Sequence, residues 1–122
     1  MAEIDADRLE ALEDLVLLRR PIADAVRRLR EFCWDSETDY VTLTRRDVGR
    51  VLDAFLDRQL NTGAVTLWAD ALESREDIGF ESGFEDGLKE FIFTAANPAI
   101  NEPIDVETAL RWKTALETQT AP

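Results

Sequence analysis

The sequence has no histidine and a single cysteine, Cys33. Without histidine no Ser–His or Cys–His nucleophile pair can be assembled, and no imidazole is available to a metal. The lone thiol has no partner within the chain for a disulfide, which fits a reducing compartment. Long apolar runs are missing as well. The run Leu15–Leu18 falls far short of the roughly 20 residues needed to span a bilayer. Lysine is confined to Lys89 and Lys113, the other bases being arginine, a bias that genomic base composition accounts for. Bases as a whole are outnumbered, 14 against 26 acids, for a formal net charge of −12. That deficit argues against direct nucleic-acid binding, which needs an excess of Lys and Arg to meet phosphates. The N-terminus, Met1 to Asp7, is acidic, whereas a secretory signal begins basic. The expectation is a cytoplasmic protein with no membrane segment.

What remains is enough for one globular domain. The chain has 122 residues, 45% of them apolar, an ordinary share for a chain with a core to bury. The apolar positions recur at helical spacing almost throughout. Leu9, Leu12, Leu15 and Val16 form one stripe, and Ile22, Val26, Leu29 and Phe32 or Cys33 form a second, with Pro21 either kinking one helix or opening the next. The second helix is expected to reach about residue 32. Residues 33–43 are polar and read as a connection, including the short β-like run Tyr40–Leu43. Thr44 is an expected N-cap with Asp47 as its capping-box partner. The helix that follows carries Val48, Val51, Leu52, Phe55, Leu56 and Leu60 on one face, with Leu52 and Phe55 at the centre of the core and Gly63 as its stop. Gly49 within it implies close approach of a neighbouring helix. A helix over 64–74 turns Val65, Trp68 and Leu72 inward, and residues 75–83 read as a loop. A helix from about 81 or 83 to 96 buries Phe84, Leu88, Phe91, Ile92 and Ala95 before Asn97-Pro98 stops it. Asp105 is an expected N-cap for a last helix whose inward residues are Val106, Ala109, Leu110 and Leu116. The fold class is all-α: a single-domain bundle of five or six helices with no sheet, in which residues 1–34 form a helical segment packed on a bundle over 44–117.

The strongest chemical feature is a concentration of acids. Asp70, Glu73, Glu76, Asp77, Glu81, Glu85, Asp86 and Glu90 are opposed only by Arg75 and Lys89, leaving half of the chain's excess negative charge in one stretch. Such a field attracts a basic partner and speeds its association; a solvated face that only confers solubility is the competing reading. A calcium loop is excluded by spacing. Counting from Asp77, the third position is Gly79 and the twelfth Leu88 where oxygen ligands are required. No pair of carboxylates is placed in an apolar pocket that would split their pKa values for acid–base work. No enzyme activity, metal or cofactor is therefore expected. Arg19, Arg20, Arg27, Arg28 and Arg30 make a basic run whose interspersed acids suggest internal pairing. Trp34 stands apart from Trp68 and Trp112 because it borders the polar loop Asp35–Asp39, which is the place to seek an interface if the acidic stretch is only a solvated face.

The stretch from Val51 to Trp68, VLDAFLDRQLNTGAVTLW, resembles the opening of the colicin D-type immunity proteins: an apolar helix ending in Phe-Leu, a short turn, and a second helix carrying an aromatic. Leu88–Ala96 is similar to that family's third helix, and Val106–Leu116 fills its last, so the likeness spans about residues 47–117. The N-terminal helical segment lies outside it. The resemblance implies a helical bundle that neutralises a nuclease toxin by covering its basic active site, with acidic side chains standing in for the phosphates of an RNA substrate. The expected function is thus a non-catalytic immunity or inhibitor protein for a basic toxin domain. The partner-binding residues would be Asp70, Glu73, Glu76, Asp77, Glu81, Glu85 and Asp86. The alternative is a helical adaptor whose acidity serves only solubility.

Overall fold

A computed structural model describes residues 5–118, apart from the side chain of Thr118. Its elements are α1 (Ala6–Val16), α2 (Ile22–Leu29), β1 (Val41–Leu43), α3 (Arg45–Leu56), α4 (Thr62–Glu73), β2 (Ile78–Phe80), α5 (Glu85–Ala96) and α6 (Val106–Thr118). Over half of the described residues are helical, as the periodicity predicts. Helix α4 lies along α5, α2 packs on both α1 and α4, and α3 packs on α6. The buried residues come from the predicted stripes: Leu12, Leu15 and Val16 of α1, Val48, Val51 and Leu52 of α3, Val65 and Trp68 of α4, and Leu88 and Phe91 of α5 are fully enclosed. Among the described residues no helix is long and apolar enough to cross a membrane.

Local chemistry sets the helix starts. Asp5 caps α1 by accepting the amides of Asp7 and Arg8. Thr44 and Asp47 form the expected capping box at α3, each side chain accepting the other residue's amide. Asp105 accepts the Thr108 amide at 2.8 Å while the Thr108 hydroxyl accepts the Asp105 amide, which starts α6. Pro21 begins a second helix rather than kinking the first. Leu18 turns the chain in the left-handed region, φ 55°, and α2 starts one residue after the proline. The buried Asp14 carboxylate then accepts from Arg19 Nε, Arg20 Nε and Arg28 Nη1 at 3.1, 2.9 and 3.2 Å, tying α2 to the end of α1. Four of the five arginines of the run, Arg19, Arg20, Arg27 and Arg28, are ion-paired within the chain, as its interspersed acids suggest.

The structure corrects several expectations. Val41–Leu43 is a strand, not a loop, and pairs in parallel with Ile78–Phe80, Val41 opposite Ile78 and Leu43 opposite Phe80. The two strands are joined through α3 and α4, so no hairpin signal marks them. Helix α2 ends at Leu29. Helix α3 ends at Leu56, not at Gly63: Arg58 takes the left-handed conformation, φ 63°, and Asn61 caps the next helix. Phe55 is only partly buried beside the enclosed Leu52. In α6, Ala109 and Leu116 face the core, but Val106 and Leu110 are 60% and 51% exposed. Trp112 instead supplies that helix's aromatic contact, meeting Phe91 edge-on with ring centroids 5.3 Å apart.

Gly49 has no close neighbour. A Cβ added there would meet nothing within 4 Å, so helix approach does not explain it. It opens onto a groove between the end of α1, α3 and the end of α6. Because the backbone is helical and the space is open, Gly49→Ala is expected to raise stability by about 0.5–1 kcal/mol through the lost chain entropy of glycine. Urea denaturation with unchanged m-value checks this; a loss of stability would mean that the groove closes on the added methyl group.

Candidate functional site

The acids of the 70–90 stretch do not gather on one surface. Asp77, offered above as a partner-binding residue, is wholly buried. Its carboxylate takes the fork of Arg75, Nε to Oδ1 and Nη2 to Oδ2 both at 2.9 Å, and Oδ2 also accepts Arg8 Nε at 2.9 Å. Glu81 is likewise engaged internally: it accepts the Arg45 amide at 2.9 Å and Arg45 Nε and Nη2 at 3.1 and 3.0 Å. The Arg45 guanidinium, and after it the Arg45 amide, hold the Glu81 carboxyl below its ordinary pKa. The same guanidinium lies 3.6 Å over the Phe84 ring. Both acids therefore hold β2 and its flanks in place rather than face a partner.

Asp70, Glu73, Glu76, Glu85 and Asp86 are exposed; Asp70 and Glu73 are one turn apart on α4, whereas Glu85 and Asp86 lie far from them. Glu73, at the end of α4, accepts Nδ2 of Asn97, the residue that caps the end of α5. Glu85 and Asp86 begin α5, a helix of 12 residues, which puts them about 18 Å away along its axis. Glu76, three residues past the end of α4, is tied to the 33–40 loop, its amide donating to the Trp34 carbonyl at 2.8 Å.

That last bond leads to the place where exposed acids do assemble. The 33–40 segment is fastened from beneath by the two arginines that hold Asp77. Arg8 Nη2 and Arg75 Nη2 each donate to the Cys33 carbonyl at 2.8 Å, and Arg8 Nη2 donates to the Asp35 carbonyl at 2.8 Å. The Arg8 guanidinium also stacks 5.0 Å from the centre of the Tyr40 ring, and the Tyr40 amide donates to the Asp77 carbonyl at 2.7 Å. Ser36 Oγ donates to the Thr38 carbonyl and accepts the Thr38 amide. Asp39 lies over β2 so closely that a Cβ at Gly79 would sit 2.5 Å from its Oδ2 and displace that carboxylate. The outer side of this loop shows Trp34, 59% exposed, with Asp35, Glu37, Asp39 and Glu76 also exposed.

No protein-family model, curated protein or solved structure matches the chain. The geometry must speak for itself. Among the described residues no group of three or more Cys, Asp or Glu is placed to hold a metal ion. The groove beside Gly49 mixes signs: Arg45, Arg46, Arg50 and Lys113 balance the acids that line it. The charged side chains of residues 33–40 and of Glu76 are all acidic, and the two underlying guanidiniums are only 14% and 9% exposed and are committed to Asp77. What such a surface can do chemically is bind cations presented by another macromolecule.

The sequence pointed to Trp34 and Asp35–Asp39 only as an aromatic beside a polar loop. It gave no sign of Arg8, Arg75, Asp77 and Tyr40 as the framework beneath. Arg8 and Asp77 are 69 residues apart, and neither helical spacing nor a motif connects them. The one local signal is Arg75 two residues before Asp77, a spacing that a bidentate pair in a tight turn satisfies.

Proposed function

We propose that this chain is a non-catalytic binding protein for a basic protein partner, acting as an immunity or inhibitor protein that covers the active site of a nuclease-type toxin in the cytoplasm. The observation that carries the reading is how the chain's scarce bases are used. Arg8, Arg19, Arg20, Arg27, Arg28, Arg45, Arg50, Arg75, Arg111 and Lys113 are all in ion pairs with the chain's own carboxylates. Among the described residues only Arg30, Arg46, Arg58 and Lys89 make no such pair, and Lys89 lies 5.4 Å over the Phe80 ring. The field reaching solvent is thus set by unpaired acids. Exposed charges of one sign steer an oppositely charged partner and accelerate encounter. The likeness of residues 47–117 to the colicin D-type immunity pattern supplies the class of partner.

The test is genetic and kinetic together. The reading frame beside this one in its genome, expressed alone, is expected to arrest growth, and co-expression of this chain to relieve the arrest. Association of the two purified proteins is then expected to slow steeply with added salt, because exposed charges are screened beyond about 8–10 Å at physiological ionic strength. A neighbouring product that does not arrest growth, or arrest that this chain leaves untouched, would overturn the toxin reading in favour of a helical adaptor whose acidity confers solubility.

A further inference from the structure

We infer that the docking surface is the outer side of the 33–40 loop together with Glu76, and that its partner is a protein presenting an apolar slot for the Trp34 indole, rimmed by Lys and Arg. This rests on the reading of the chain as a binder of basic proteins and adds the surface and the chemistry it selects.

Three observations support it. The first is the use of the tryptophans. Trp68 is fully enclosed and Trp112 packs on Phe91, whereas Trp34 is 59% exposed and its indole has no hydrogen-bond partner among the described residues. An exposed indole loses apolar contact with the rest of its own protein that a partner's pocket restores, and Trp is the residue type that most often dominates such contacts. The second is that the backbone beneath it is held before any partner arrives. The carbonyls of Cys33, Trp34 and Asp35 accept from Arg8, Arg75 and the Glu76 amide, all at 2.8 Å. A side chain displayed on fixed backbone has less freedom to lose on docking, so more of the contact energy appears as affinity. The third is charge. Asp35, Glu37 and Asp39 follow Trp34 in the same loop and the Glu76 amide is bonded to the Trp34 carbonyl; all four acids are exposed, and among the described residues none is in an ion pair. An exposed aromatic flanked by unpaired acids is complementary to an apolar slot flanked by bases. The groove beside Gly49 lacks this property because its own charges cancel.

The test uses the whole isotopically labelled chain and a defined probe, a short peptide alternating Arg and Leu, against a charge-matched peptide alternating Arg and Gly. Amide shifts on adding the Arg–Leu peptide are expected at residues 33–40 and 76 and at the Trp34 indole. The Arg–Gly peptide is expected to bind more weakly. Trp34→Ser is expected to lower affinity for the Arg–Leu peptide about tenfold or more, with Trp34→Phe retaining most of it; neither changes a buried contact, so both should fold. Shifts confined to α4 and α5 acids, no shifts at all, or Trp34→Ser binding as wild type would each overturn the assignment. The two proposals fail separately. A Trp34→Ser chain that still relieves toxin arrest removes this surface but leaves the immunity reading standing. Localised, Trp34-dependent peptide binding without any growth-arresting neighbour removes the toxin and leaves the surface.

Discussion

Replacing Asp77 with alanine is expected to cost about 3–5 kcal/mol of stability, the range seen when one partner of a buried ion pair is removed. The carboxylate is wholly enclosed, and four charge-assisted hydrogen-bond or ion-pair contacts from Arg8 and Arg75 converge on it. Its loss leaves two guanidiniums under the 33–40 loop with no counter-charge. A whole domain is held by only about 5–15 kcal/mol, so the variant should unfold at much lower urea. Asp77→Asn should fall between: it keeps acceptor Oδ1 for Arg75 but removes the charge. Substituting Arg8, Arg75 and Asp77 together by apolar residues is not expected to restore full stability, although many buried pairs tolerate this. The two arginines also satisfy the carbonyls of Cys33 and Asp35, which would then lose their donors. Urea denaturation reads the stability. Amide exchange at Tyr40 and Glu76 reads the loop, and should quicken in Asp77→Asn even where the helices remain protected. A cost below about 1 kcal/mol would show that the two arginines find water or other acceptors without penalty.

The same residue shows what was and was not legible in the sequence. Helices are local, so their period, their caps and most of their buried faces could be read directly: Thr44 with Asp47, Asp105, and the stripe Val48–Val51–Leu52 all stand as expected. The errors fall where a distant partner decides. Val41–Leu43 is too short to alternate visibly and becomes a strand only because Ile78–Phe80, beyond two helices, pairs with it. Val106 and Leu110 sit at helical spacing, yet α6 turns Ala109, Trp112 and Leu116 to the core instead. The acidic stretch is the clearest case. Contiguity in sequence implied contiguity in space, but α4, β2 and α5 carry its members to different places, and Arg8, Arg45 and Arg75 draw Asp77 and Glu81 inward. Reversing Glu73, Asp77 and Glu81 to lysine, the natural choice from sequence, would therefore break the fold before it tested an interface. The loop at Trp34 was visible only as composition; its rigidity comes from residues that no local pattern connects to it.

Trp68→Ala is the second large expected loss, again about 3–5 kcal/mol, from the transfer free energy of the removed ring and the cavity it leaves. The side chain is fully enclosed and its Nε1 donates to the Leu15 carbonyl at 2.9 Å, which fastens α4 to the end of α1. That end is where α1 stops and the chain reverses through Leu18. The indole thus fills the core and also satisfies a carbonyl at the terminating helix: the Arg19 amide, four residues on, turns to the Asp14 carbonyl instead, and the Leu18 amide reaches Leu15 only at 3.3 Å. Trp68→Phe separates the two contributions. It keeps much of the apolar volume, removes the donor, and should cost about 1–3 kcal/mol. Urea denaturation of the two variants measures both. If phenylalanine costs as much as alanine, the hydrogen bond to Leu15 dominates and the cavity is filled by rearrangement. If it costs nothing, the carbonyl is satisfied without the indole and packing alone holds α4 against α1. Fluorescence supplies an internal check: Trp68→Phe should remove the emission of the fully enclosed indole and leave those of exposed Trp34 and partly buried Trp112, so the spectrum moves toward a more exposed tryptophan while the helical signal is unchanged.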